Sequence, residues 1–343
     1  MAKVKKTRRA SDRRITSKEV ADLAGVSFSA VSRTFTKGAS VSAKTREKVL
    51  KAARKLGYQP NVHARSLMTR RTELIGLICS NFDNPVFMEV FDLFTRRLQM
   101  QGLRPLIANL SSGQADDTLD TLLQYSVDGV IVATSNLPAD FAQRCRRANL
   151  PVVYAFGRPK APGAANIISS DFLQAGRLAG DLLQERGYRK IAFIGGPTTT
   201  VSTGDRLAGL TASLEANGLE PHTTVYGNAY THEAGLSLMR QLIRTGGMDA
   251  VFCGDDVVAL GALDACREAG IRVPGDIGII GFNDIAMAGW SAYQLTTIRE
   301  PIADIIGTAI DRVIELINQP QKKPKTVLFD CSAVIRNTLR PLV

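Results

Sequence analysis

The adjacent carboxylates Asp116–Asp117 and Asp255–Asp256 are the first residues whose types suggest chemistry, since paired acids can share general acid and base work. Neighbouring side chains at a strand-to-helix turn point apart, however, so helix capping and polar contact account for them better. No catalytic constellation accompanies them: the chain has no G-x-G-x-x-G after its first strand, no P-loop, no G-x-S-x-G, no H-E-x-x-H and no H-R-D. His63, His222 and His232 are too dispersed for a metal centre, and Cys79, Cys145, Cys253, Cys266 and Cys331 are scattered without a C-x-x-C. These thiols sit mostly in apolar runs and read as free and buried. The stretch GVSFSAVSRTF, residues 25–35, is of another kind. Ser27 can cap a short helix from whose first turns Phe28, Ser29, Ser32 and Arg33 project. An arginine there can pair with guanine edges or phosphate, hydroxyls suit either, and a phenylalanine can meet a thymine methyl or a sugar.

Charge placement agrees with that chemistry. Residues 1–72 hold 19 Lys/Arg and 4 Asp/Glu, a balance of +15, while the rest of the 343-residue chain stands at −4. A basic module on a mildly acidic body is what binding nucleic acid by one end requires. Residues 1–14 form a basic tail, and residues 15–60 read as three short helices. Thr16 and Glu19 make a T-x-x-E capping box ahead of Val20, Ala21, Leu23 and Ala24, and Gly25 ends that helix. Ser42 opens a longer helix with Val49, Leu50, Ala53 and Leu56 toward one side, closed by Gly57. Two short helices joined by AGVS make a helix-turn-helix, with the third completing a small core. Residues 61–72 follow Pro60 as a short basic hinge helix and linker.

From Glu73 the rhythm changes to short apolar strands alternating with amphipathic helices, expected at 85–101, 114–126, 138–149, 172–187, 205–217, 232–245, 256–269 and 302–317. Such spacing implies right-handed β-α-β units and mostly parallel sheets. About a dozen strands exceed one comfortable sheet, so two sheets with a cleft between them are expected. Ligands bind outside the carboxyl ends of such strands, where the polar segments 80–85, 169–171, 195–200, 254–256 and 281–284 fall. There is no apolar leader core and no run of 18 apolar residues, so a cytoplasmic setting without membrane contact is expected.

The segment ITSKEVADLAGVSFSAVSRTFTKGASVSAKTREKVLKAARKLGYQPNVHARSL, residues 15–67, resembles the DNA-binding head of the LacI/GalR family of bacterial transcription regulators. NPVFMEV, GVIV, LPVV, RLAGL, DDVVALGA, GIRVPGDIGIIGFNDI and LTTIREP follow in the order of that family's effector domain, so the resemblance runs over about residues 15–340. It implies a small all-α helix-turn-helix domain joined to an α/β, two-lobed periplasmic-binding-protein-like (type I) domain with parallel sheets. It places lobe 1 at about 73–171 and 300–324, and lobe 2 at about 172–299 and 325–343.

The resemblance also implies residue roles. Phe28 and Ser29 fall where operator bases are chosen and Arg33 where a major-groove contact is common, while Thr16, Ser17, Ser27, Ser32, Ser42 and Thr45 match phosphate-holding positions. Asn61, Ala64 and Leu67 match the hinge helix, with Leu67 as a wedge in the minor groove. Phe87, Asp171, Thr200, Ser202, Arg206, Tyr230, Asp255 and Asn283 match effector positions. Asp255 stands where many sugar-responsive members have Asn, and Asn283 where many have Asp. The expected protein is a homodimeric, non-enzymatic regulator without cofactor or metal. It would bind a near-palindromic operator as double-stranded DNA under control of a small sugar-like effector. The chain end at Arg340-Pro-Leu-Val343, without heptads, favours a dimer over a tetramer. A non-regulatory sugar-binding or sugar-modifying α/β protein is the alternative.

Overall fold

A computed structural model describes residues 15–36, 38–60, 66, 71–79, 82, 84–110, 115–134, 141–159 and 165–342. The basic tail and the hinge positions Asn61, Ala64 and Leu67 lie outside the described residues. The chain separates into two units, Met1–Thr72 and Glu73–Val343.

In the first unit, α1 (Ser17–Ala24), α2 (Phe28–Phe35) and α3 (Ala43–Leu56) enclose Val20, Ala21, Val31, Val49, Ala52 and Ala53. So small a core depends on well-made helix ends. Thr16 and Glu19 form the expected reciprocal box, and Gly25 ends α1 in the left-handed region at φ 63°. Ser27 accepts from the Ala30 N–H, and Ser42 from the Thr45 N–H. A capping hydroxyl of this kind contributes about 1 kcal/mol. Phe35 and Tyr58 pack at a tilt with centroids 5.6 Å apart, and the Tyr58 hydroxyl donates to Ser17 Oγ at 3.0 Å, tying the end of α3 to the start of α1. On α3 the buried positions are Val49, Ala52 and Ala53; Leu50 is only half-buried, because Ala52 rather than Leu50 faces the other two helices.

The second unit has two lobes. In the first, β1 (Leu74–Cys79), β2 (Arg104–Asn109), β3 (Gly129–Ala133), β4 (Val152–Ala155), β5 (Asn166–Ser170) and β11 (Thr326–Phe329) form a wholly parallel sheet ordered β11-β5-β4-β3-β1-β2. Its helices are α4 (Pro85–Met100), α5 (Ala115–Gln124), α6 (Phe141–Arg147) and α11 (Ile302–Asn318). In the second lobe, β6 (Ile191–Gly195), β7 (Thr223–Tyr226), β8 (Ala250–Cys253), β9 (Gly278–Asn283), β10 (Thr296–Arg299) and β12 (Ser332–Val334) are ordered β12-β10-β9-β8-β6-β7, with only β12 antiparallel. The helices there are α7 (Phe172–Glu185), α8 (Val201–Glu215), α9 (His232–Thr245) and α10 (Asp256–Glu268). Strands buried on both faces explain the continuous apolar runs of β3, β6 and β8.

Two details depart from the sequence reading. Thr326–Phe329 pairs with Ile167–Ser170, so it extends the first sheet, and the last crossing between lobes falls after residue 329 instead of 324. Helix α8 starts at Val201, four residues earlier than its apolar pattern suggested, because its first turn is polar and faces the space between the lobes.

Helices of the second lobe approach at backbone distance. A Cβ on Gly176 of α7 would overlap the Arg206 carbonyl oxygen, and one on Gly209 of α8 would overlap that of Leu173. Gly235 and Gly261 cross in the same way between α9 and α10. Beneath α10 the buried Asp256 carboxylate accepts from the Thr297 hydroxyl at 2.5 Å and the Ile285 N–H at 2.9 Å. Burial pushes its pKa up to about 7, with the Thr297 bond opposing and the neighbouring Asp255 charge adding to the rise.

Gly209→Ala should therefore lower stability by about 1–3 kcal/mol, the range for overpacking a tight contact. Gly204→Ala, at an open position on the same helix, should raise it by up to about 1 kcal/mol. Urea titration of both variants measures this pair. Asp256 predicts a pH dependence as well. A carboxyl whose folded pKa exceeds its unfolded value stabilises most below the unfolded pKa and loses that contribution as pH climbs to the folded one. Between pH 5 and 7, Asp256→Asn should thus gain on the wild type, by at most about 1.4 kcal/mol per pH unit, and level off above pH 7. Denaturant midpoints at four pH values give the slope.

Candidate functional site

The first unit carries an exposed polar face. Phe28 is 58 % exposed although it is a large apolar side chain at the first position of α2. Ser29 beside it is exposed and shares a 3.0 Å hydrogen bond with Ser27 Oγ. Arg33 is exposed one turn on, its Nε donating to the Ser29 carbonyl at 3.4 Å. Thr16, Ser27 and Ser42 sit at three helix N-termini, where N–H groups and the helix dipole favour phosphate oxygens. Ser17, Ser32 and Thr45 are half-buried; Ser17 accepts from Tyr58, and Thr45 from the Ser42 hydroxyl at 2.9 Å.

In the second unit a cavity of about 270 Å³ lies between the lobes, at the carboxyl ends of strands from both sheets. Asp255 occupies its floor and is 4 % exposed. One carboxylate oxygen accepts the Val257 N–H at 2.8 Å and so caps α10; the other accepts from the Asn283 and Asn84 side-chain amides, each at 2.8 Å. Asn84 belongs to the first lobe and caps α4 through the Val86 N–H. The reciprocal exchange of acid and amide noted in the sequence thus forms one hydrogen bond, with the amide of Asn283 donating to the carboxylate of Asp255. Burial lifts the Asp255 pKa to about 6, and the Val257 N–H, the Asn84 amide, the Arg206 charge and the Asn283 amide hold it from rising further.

Arg206 forms the opposite wall. Its guanidinium lies 3.7 Å over the Phe282 ring and 4.7 Å over that of Phe172, and it donates to the Gly254 carbonyl at 2.8 Å and the Tyr230 hydroxyl at 3.3 Å. Flat, delocalised charge suits such contact with ring faces. Tyr230 continues through Thr203 at 2.7 Å to Thr200 at 2.6 Å. Phe87 and Ser202 complete the expected set in this cavity.

Asp171 departs from expectation. Its carboxylate turns onto its own helix, accepting the Gln174 N–H at 2.9 Å, and borders a neighbouring cavity of about 340 Å³ instead. Lining residues that the sequence did not name as effector positions include Asn84, Phe156, Phe172, Asn228 and Glu300. Glu300, directly after β10, is 7 % exposed, and burial raises its pKa while the Arg206 charge and the Ser170 hydroxyl oppose the shift. The rule that strand ends carry ligands would have found it had it been extended to β10. Among the described residues no cluster of His, Cys, Asp and Glu could hold a metal ion, and no helix is long and apolar enough to cross a membrane. All five cysteines are buried and free.

Comparison with known proteins bears on both sites. Residues 16–61 match the family described as bacterial regulatory proteins, lacI family, and residues 181–339 match the periplasmic binding protein-like domain. The transcriptional regulator CelR of Thermobifida fusca is 32 % identical over 338 residues, covering 95 % of this chain and 98 % of its own. The repressor PurR of Escherichia fergusonii is 31 % identical over 318 residues, covering 91 % and 93 %. Among solved structures, the Lac repressor dimer bound to operator and the anti-inducer ONPF superposes with a TM-score of 0.86 at 28 % identity, over 96 % of this chain and all of that one. A CelR–cellobiose complex gives 0.73 at 29 % identity over 95 % of this chain and all of that one. With an exposed helix-turn-helix face, a polar cleft between two parallel-sheet lobes and similarity along nearly the whole chain, the protein belongs to the LacI family of bacterial transcriptional regulators.

Proposed function

We propose that the protein is a homodimeric repressor whose affinity for a near-palindromic operator is set by a sugar or sugar derivative bound between its lobes. Phe28 and Ser29 choose bases, Arg33 adds a major-groove contact, and the hydroxyls at the helix starts hold phosphates. Asn61, Ala64 and Leu67 complete the DNA contact from the hinge. Phe87, Thr200, Ser202, Arg206, Tyr230, Asp255 and Asn283 receive the effector, joined by Asn84 and Glu300; Asp171 acts at the edge, through its helix. The protein works as a binding switch without catalysis, and acting on DNA places it in the cytoplasm. Support for the dimer comes from the Lac repressor dimer on its operator, and support for a sugar from the CelR–cellobiose complex.

The observation that carries this reading is the Asn84–Asp255 hydrogen bond. The floor of the cleft belongs to both lobes, so an occupant touches both and changes their spacing, and DNA affinity can follow by linkage of about 1–3 kcal/mol.

A genomic fragment library tests the function directly. The full-length protein should retain a few fragments sharing a palindrome, with affinity dropping by orders of magnitude from about 50 to 200 mM salt, and one class of sugar should alter retention. Uniform retention of all fragments, with and without metabolites, would refute the reading. Exchanging Phe28 and Ser29 should change the selected bases while leaving thermal stability and ligand binding as they are. Arg206→Lys keeps the charge but loses the planar contact with Phe282 and Phe172, so effector affinity should fall at least about tenfold, or 1.4 kcal/mol, with operator binding intact. Calorimetry and fluorescence anisotropy separate the two effects.

A further inference from the structure

We propose that the effector carries no negative charge and presents a hydroxyl or amine donor to Glu300, so that uncharged or amino sugars are selected over their acid and phosphate forms. The inference rests on the cleft being an effector site and specifies which chemistry that site accepts.

Glu300 lines the cavity, and although the Ser170 hydroxyl lies beside its carboxyl, its Oε1 is buried with no hydrogen-bond partner. An ionised carboxylate only accepts hydrogen bonds, so what completes it must bring an O–H or N–H. The second acid of the cavity needs such a donor less, since the Asp255 carboxylate already takes three N–H donors from Val257, Asn283 and Asn84. Among the described residues the lining holds one cation, Arg206, against these two acids. Phe282 lies 3.7 Å from its guanidinium with Phe172 beside it at 4.7 Å, and one of its terminal nitrogens serves Gly254 and Tyr230. The Arg206 Nε is buried and unpartnered like Glu300 Oε1. One open donor and one open acceptor suit a polyol, whose hydroxyls do both. A carboxylate or phosphate would reach a single guanidinium already bonded to Gly254 and Tyr230, and would meet two carboxylates in surroundings where charge is poorly screened. Rejection of the wrong charge is therefore built into the cavity wall.

Titration of the full-length protein with matched sets tests this: glucose, galactose, mannose and cellobiose, each beside its amino, uronic acid and phosphate forms. Within the set that binds, the plain or amino form should bind tightest, and the acid and phosphate forms weaker by at least about tenfold. Glu300→Gln, of equal size, should narrow that gap by a similar factor and weaken the amino form more than the plain one. Glu300→Asp, which keeps the charge, should preserve the ranking. An acid or phosphate form binding tightest to the wild type overturns the proposal and leaves the sugar reading standing. A gap unchanged in Glu300→Gln overturns the role of Glu300. Failure of every sugar while operator binding persists overturns the sugar reading, and this inference with it.

Discussion

One buried carboxylate organises the effector unit. Asp255 sits at the N-terminus of α10, where the helix dipole and the Val257 N–H favour negative charge. It also draws in Asn283 from the end of β9 and Asn84 from the other lobe. A charge taken out of water is tolerated only when such donors replace its hydration. Asn84 in turn caps α4, so the same group couples the starts of two helices belonging to different sheets. An ion pair between Arg158 and Asp205, with contacts of 2.8 and 3.0 Å, makes a second bridge between the lobes on the exposed side. Being exposed, that pair contributes little by itself. The buried link is the one that separation of the lobes must break.

The opposite wall is placed by packing instead of charge. The carbonyl of Arg206 lies where a side chain at Gly176 would be, so the crossing of α7 and α8 fixes the backbone from which the guanidinium extends. Phe172 and Phe282 then fix its plane. The polar wall is thus positioned by helix crossings that only glycine permits.

Much of this was legible in the sequence. The capping box, the helix-turn-helix and the alternation of strands and helices are local patterns, and local patterns survive without coordinates. The carboxyl-end rule placed Asp255 and Asn283 correctly because each ends a strand with a polar cluster. It did not reveal that Asp171 spends its carboxylate on Gln174, since a helix cap and a ligand contact look identical in sequence. It overlooked Glu300, which follows β10 as a single acid between Arg299 and Pro301 with no polar cluster around it. Register across the sheet was equally hidden: nothing local in Thr326–Phe329 tells whether it joins β5 or the second sheet, because that depends on an edge supplied some 160 residues earlier.

The exchange of acid and amide between Asp255 and Asn283 follows from the same electrostatics. With the carboxylate at position 255, the negative charge lies on a helix N-terminus and its acceptor capacity is consumed by N–H groups of the protein. With the amide at position 283, where φ is 116°, a strained residue at the end of a strand carries a neutral group. A charge there would lack the helix dipole and face Asp284, whose carboxylate is already held by Arg299 and Arg336. Relative to the reverse arrangement, the floor of the cleft becomes a closed hydrogen-bonded junction. The charged groups left on the walls are then Arg206 on one side and Glu300 on the other.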